Sequence, residues 1–183
     1  MTKPIIWSVA GLDSGGGAGL SADQRAADAM GVHPCPVAAA VTAQNSVAVE
    51  AVFPVPPEQL DAQLAALARD LPPAAIKVGL LGGVEQLRVV TRWVDRLRER
   101  APVALVVDPV LRASTGASFT NNELLRAYRD ELLPRASVVT PNRREATRLV
   151  GEGSLQQQAA ALGVETVCIT DRKSTRLNSS HRP

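Results

Sequence analysis

The sequence predicts a layered α/β fold built on a mainly parallel sheet. Short apolar runs alternate with amphipathic helical segments along the whole chain. Run after run also closes on a polar or glycine-rich loop, after Ala10, Ala43, Val107 and Thr140. Size agrees with one domain: 183 residues, 45% hydrophobic but only 3% aromatic, suffice for a single core of Ala, Val, Leu and Ile.

Taken in order, "IIWSVA" (5–10) is a first buried strand, and "GLSADQRAADAMG" from Gly19 has a helix's composition, with Gly31 suited to its stop. "VAAAVTA" (37–43) is a second strand, and "SVAVEAVFPV" (46–55) alternates partly at period two, predicting a short hairpin or flap beside it. Pro56 and Pro57 open a helix in which Leu60, Leu64, Leu67 and Leu71 recur at three-to-four spacing. "AAIKVGLL" (74–81) is the next strand, and an amphipathic helix follows over roughly 84–100. "VALVVDPV" (103–110) is an apolar strand ending in an aspartate, and 121–133 is helical. "ASVVT" (136–140) is a strand running straight into the helix "NRREATRLVG" (142–151). A helix near 154–162 leads to a last strand, "TVCIT" (166–170). No internal repeat or Pro/Gly/Ser linker divides the chain.

Several function classes drop out. No apolar run approaches the ~18 residues of a membrane span, and the N-terminus lacks the long apolar stretch and cleavage site of a signal peptide. A soluble, cytoplasmic protein without membrane partners is expected. Cys35 and Cys168 lie far apart with no metal-ligand spacing and read as free buried thiols. The formal net charge of +2 belongs to the tail: Arg172, Lys173, Arg176 and Arg182 against Asp171 give residues 171–183 a net of +3, leaving −1 for the rest. No basic face remains for nucleic acid.

In an open parallel sheet, ligands bind outside the carboxyl ends of the strands, so the four loops form one candidate site. The first, "AGLDSGGGAGLSAD" (10–23), fits neither the P-loop, for want of any lysine between Lys3 and Lys77, nor the dinucleotide fingerprint, whose glycine spacing and downstream acid are missing. Four glycines in five positions, Gly15, Gly16, Gly17 and Gly19 around Ala18, still permit close backbone approach to a ligand beside a helix N-terminus. A tight turn would use the same residues. Asp23, one turn into the helix, can face the same cavity. Gln44 in "VTAQN" carries a primary amide, whose adjacent donor and acceptor match a 4-aminopyrimidine edge; a satisfied loop residue is the plainer alternative. Asp108, Asn142 and Glu145 stand at two further strand ends, and oxygen ligands of this kind suit a Mg²⁺ that keeps several waters and bridges nucleotide phosphates. Asn142 followed at three residues by Glu145 equally predicts a helix cap, close to a capping box.

Together and in this order, "AGLDSGGGAGLSAD", "TAQN", "IKVGL", "DPV…TG" and "TPNRREA" resemble the hydroxymethylpyrimidine/phosphomethylpyrimidine kinases of thiamine biosynthesis, over residues 4 to about 170. The resemblance implies a ribokinase-like, three-layer α/β/α fold with a mainly parallel sheet. It implies ATP- and Mg²⁺-dependent phosphorylation of 4-amino-5-hydroxymethyl-2-methylpyrimidine and then of its monophosphate. Gln44 would hold the pyrimidine, Asp23 and the Gly15–Gly19 loop would line its pocket, and Val110 would pack on the ring. Asn142 and Glu145 would organise Mg²⁺ and phosphates, with Asp108 close by. Leu80 stands where many members have Met, and Ser114 where a lysine is frequent.

The family's late Gly-x-Gly-Cys or Gly-x-Gly-Asp motif, which supplies an anion hole and often a base, has no counterpart after Thr140. Residues 1–170 are therefore expected to form the N-terminal two-thirds of one kinase domain, incomplete at its C-terminal side and without catalytic turnover. Residues 171–183, polar and aperiodic, resemble a translated sequencing adapter and are expected to be non-native. Alternatives are a pyridoxal or related vitamin kinase of the same superfamily, or a non-catalytic pyrimidine-binding module. Relatives are often dimers, which suggests a homodimer by analogy only.

Overall fold

A computed structural model of the chain describes residues 3–111 and 121–170. Ser114 and the "TG" of the fourth motif, like the tail 171–183, lie outside the described residues. The strands are β1 (Ile5–Asp13), β2 (His33–Gln44), β3 (Val49–Pro54), β4 (Ala75–Val78), β5 (Ala104–Val107), β6 (Val138–Val139) and β7 (Thr166–Val167). The α-helices are α1 (Gly19–Ala29), α2 (Pro57–Asp70), α3 (Val84–Arg98), α4 (Asn122–Ala127), α5 (Arg143–Val150) and α6 (Leu155–Leu162).

All seven strands join one sheet in the order β3-β2-β1-β4-β5-β6-β7. Among them only the β2–β3 pairing is antiparallel. The chain moves outward from β1 to β2 and β3, then returns through α2 to β4 on the other side of β1. α1 packs against β1 and β2, while α2 packs against β2 and α3. That is the expected three-layer, mainly parallel α/β architecture. The strand order reverses between β1 and β4, and there the loops part to leave a crevice.

The central strands are buried on both faces and accordingly read as apolar runs. Trp7, Val9, Ile76, Val78, Leu105 and Val107 supply the middle of the core. On α3, Leu87, Val90, Val94 and Leu97 repeat at helical spacing and are buried against it. Two indoles fasten helices to their neighbours: Trp7 Nε1 donates to the Leu71 carbonyl at 2.9 Å, and Trp93 Nε1 donates to Asp61 Oδ1 at 2.8 Å.

Three expectations need correction and one needs its partner named. Of the hairpin or flap expected at 46–55, the hairpin is what forms, but its partner is the preceding strand: β3 is laid antiparallel on β2 as the sheet's edge. The helix expected over 121–133 keeps α-geometry only to Ala127. It then widens to a π-helical turn over Tyr128–Leu132 and tightens to a 3₁₀ turn over Leu133–Arg135, where Pro134 cannot supply an α-helical N–H. The strands expected at 136–140 and 166–170 shrink to two residues each. Cys168, expected to be buried, is exposed, because β7 is the sheet's edge; Cys35, on β2, is buried.

Candidate functional site

At the carboxyl ends of β1, β2, β4 and β5 lies a cavity of about 470 Å³. Of the residues singled out in the sequence, Ala18, Gly19, Asp23, Gln44, Asp108, Val110, Asn142 and Glu145 all line it. Gly15, Gly16 and Gly17 do not.

The glycine loop is organised by Asp13, the last residue of β1. Its carboxylate accepts from the Gly15 amide at 2.8 Å, from Gly17 at 3.0 Å and from Ala18 at 2.8 Å. Amides that could face a ligand therefore face Asp13 instead. The close approach that needs glycine is at Gly19, where φ is +54° and an added Cβ would stand 2.1 Å from the Gly11 carbonyl oxygen. That contact folds the start of α1 back onto β1 and sets the helix's first residues at the cavity wall.

Gln44 ends β2 at a register shift, a bulge between Ala43 and Gln44. Bulges re-aim side chains. Ser14 fixes the backbone there: its Oγ donates to the Gln44 carbonyl at 2.7 Å and accepts from the Gln44 N–H at 2.9 Å. The Gln44 side-chain amide makes no hydrogen bond among the described residues, so donor and acceptor remain open to the cavity. Gly11, Ala18, Leu80 and Val110 add apolar wall.

Asn142 and Glu145 form the helix cap that their spacing predicts. Asn142 Oδ1 accepts from the Glu145 N–H at 3.0 Å, and Glu145 Oε2 accepts from the Asn142 N–H at 2.9 Å. This fixes both side chains at the N-terminus of α5, with Glu145 only 7% exposed. Burial pushes the Glu145 carboxyl above its usual range, the Asn142 backbone hydrogen bond opposes that, and Asp108 adds to it. Asp108 is likewise raised by burial; Lys77 opposes the rise and Asp23 reinforces it.

Lys77 was not singled out from the sequence. It comes from the middle of β4, lines the cavity, and donates from Nζ to Asp23 Oδ2 at 2.7 Å. The Ser8 hydroxyl donates to the same oxygen at 2.7 Å. A lysine inside "AIKV", a strand hydrogen-bonded on both sides, was the available signal, because such a position leaves its ammonium little bulk water.

Among the described residues lining the cavity, four carboxylates (Asp13, Asp23, Asp108 and Glu145) face one cation, Lys77. Desolvated Asp108 and Glu145 thus mark a place short of positive charge. No three His, Cys, Asp or Glu side chains among the described residues gather tightly enough to hold an ion unaided. The donor set nevertheless fits Mg²⁺, which retains waters and needs only one or two protein carboxylates. Asp108, Asn142 and Glu145 are the residues that would hold it. No helix among the described residues is long and apolar enough to cross a membrane.

The sequence comparisons converge on one family, and the solved structures add related vitamin kinases. Residues 13–173 match the family model for phosphomethylpyrimidine kinase. The hydroxymethylpyrimidine/phosphomethylpyrimidine kinase of Synechococcus elongatus is 41% identical over 151 residues, covering 82% of this chain and 56% of that protein. Its counterpart in Mycobacterium leprae is 38% identical over 170 residues, covering 91% of this chain and 60% of that protein. A probable bifunctional thiamine biosynthetic enzyme of rice is 40% identical, but the matched stretch covers only 28% of it. The chain thus spans less than two-thirds of these relatives. Among solved structures, phosphomethylpyrimidine kinase from Clostridium difficile superposes with a TM-score of 0.77 at 31% identity, covering 88% of this chain and 69% of that one. Pyridoxal kinase from Staphylococcus aureus, in complex with pyridoxal, reaches a TM-score of 0.81 at 26% identity, covering 94% and 66%.

Proposed function

We propose that this chain, which belongs to the phosphomethylpyrimidine kinase family, carries the substrate-binding and metal-binding part of an ATP-dependent kinase for 4-amino-5-hydroxymethyl-2-methylpyrimidine and its monophosphate. Residues 1–170 then correspond to the N-terminal two-thirds of one kinase domain. The observation that carries this is the meeting of Gln44, Asp23, Asp108, Asn142 and Glu145 around a single cavity.

In this function the Gln44 amide pairs with the 4-amino group and the adjacent ring nitrogen. A bidentate match of this kind also rejects rings lacking the amino group, since the amide would be left unpaired in a partly dry site. Val110 and Leu80 pack on the ring, Ala18 and Gly19 close its edge, and Asp23 accepts from the bound substrate's polar edge. Asn142, Glu145 and Asp108 face the nucleotide phosphates. Mg²⁺, when bound, neutralises phosphate charge, which is the main need of phosphoryl transfer. The protein's own part is to hold these carboxylates rigidly, Glu145 by the α5 cap and Asp108 at the end of β5. A homodimer is part of the proposal by family analogy only.

Calorimetric titration tests this. The pyrimidine is expected to bind and to outcompete pyridoxal. Gln44→Ala should lose about tenfold or more in affinity, the loss expected when a paired amide is removed from a buried polar contact. Preference for pyridoxal would favour a vitamin kinase of the other kind.

A further inference from the structure

We infer that Lys77 is a positioning residue joining the two halves of this site: it holds the Asp23 carboxylate toward the pyrimidine and supplies the opposing charge beside Asp108. The inference rests on the proposed function and adds a residue to it.

Four observations carry it. Lys77 Nζ lies 2.7 Å from Asp23 Oδ2, and both side chains are about three-quarters buried, at 26% and 23% exposure. Ser8, beside Lys77 across the parallel β1–β4 pair, donates to the same Asp23 oxygen. Asp23 is thereby held from behind by two donors on two strands. Gly79 leaves the space the ammonium uses: a Cβ there would stand 3.0 Å from Lys77 Nζ and 3.1 Å from the Ala10 Cβ. Asp108, on the neighbouring β5–α4 connection, lines the same cavity and feels both Lys77 and Asp23.

The physical consequence is an opposition of effects. Lys77 keeps Asp23 fixed, which favours the pyrimidine. The same positive charge repels a divalent cation at Asp108, so the site holds that cation less tightly than its carboxylates alone would. A residue that merely stabilised the fold would move both affinities the same way.

The test measures two binding constants on the full chain: that of 4-amino-5-hydroxymethyl-2-methylpyrimidine by calorimetry, and that of Mn²⁺, as a probe for Mg²⁺, by proton relaxation. Lys77→Met should weaken the pyrimidine by about ten- to a hundredfold, the range for a group that orients a binding residue from behind. It should tighten Mn²⁺ by about three- to tenfold, as expected for removing one nearby charge at the effective dielectric of a protein interior. Lys77→Arg should bring both back to within about threefold of the unaltered chain, since the charge remains. In a cycle with Asp23→Asn, the double variant should bind the pyrimidine no worse than the weaker single variant, because the two act as one unit. Unchanged pyrimidine affinity in Lys77→Met while Gln44→Ala loses it overturns this inference and leaves the proposed function standing. Both affinities falling together in Lys77→Met and Lys77→Arg also overturns it. No pyrimidine binding by the unaltered chain overturns the proposed function and this inference with it.

Discussion

Gly19 bears two constraints at once, a positive φ and a neighbouring carbonyl oxygen 2.1 Å from where a Cβ would be. Gly16 bears only the first: its φ is +69° with nothing within 4 Å. The two glycines therefore separate conformational cost from steric cost. Gly16→Ala should lose about 1 kcal/mol of stability, the price of a left-handed alanine. Gly19→Ala should lose about 3 kcal/mol or more, because the backbone itself must move. Urea denaturation of the two variants checks this, and equal losses would refute the close contact. The glycine run was legible in the sequence as a special loop. That its amides would serve Asp13 was not, because an aspartate beside a turn gives no sign of how many amides it will accept.

At the scale of elements, α5 and α6 offer a controlled comparison. Both begin with a reciprocal capping box, Asn142 with Glu145 and Ser154 with Gln157. Asn142→Ala and Ser154→Ala should each cost about 1 kcal/mol. Only Asn142→Ala should also weaken Mn²⁺ binding, because the α5 cap alone lines the cavity. The strands make a second contrast. Burial, and secondarily Asp70, push the Cys35 thiol above its ordinary range, so it carries little thiolate near neutrality. Cys168, exposed on the edge, should react with iodoacetamide at pH 8, while Cys35 should do so only on unfolding; mass spectrometry of the labelled sites decides. Most elements were legible from apolar periodicity, and most misreadings have physical causes. β2 begins at His33, earlier than the expected Val37, and so includes Pro34 and Pro36. β3 pairs only from Ala40 onward, so those prolines sit where β2 is locally an edge and lose no hydrogen bond. Lys77 shows the reverse: a single charge in an apolar strand signals a buried partner, but nothing local in the sequence names Asp23 as that partner. The π-turn after Ala127 leaves no periodic signature, since five residues are too few to shift a pattern.

At the scale of the whole molecule, the order of strands creates the site. The reversal between β1 and β4 opens a crevice, and residues from Ala10 to Thr170, far apart in sequence, meet around it. That meeting was foreseeable from loops recurring at strand ends. Which groups would face one another across it was not, since Asp23 comes from a helix face and Lys77 from a strand centre. The measurement that bears most directly on the central claim is a crystal structure of the chain with the aminopyrimidine, a non-hydrolysable ATP analogue and Mg²⁺. The ring should lie in the cavity against Val110 with its amino edge within hydrogen-bonding distance of the Gln44 amide, and the metal should lie beside Asp108 and Glu145. A ring bound elsewhere, or one that turns its amino edge away from Gln44, would contradict the account.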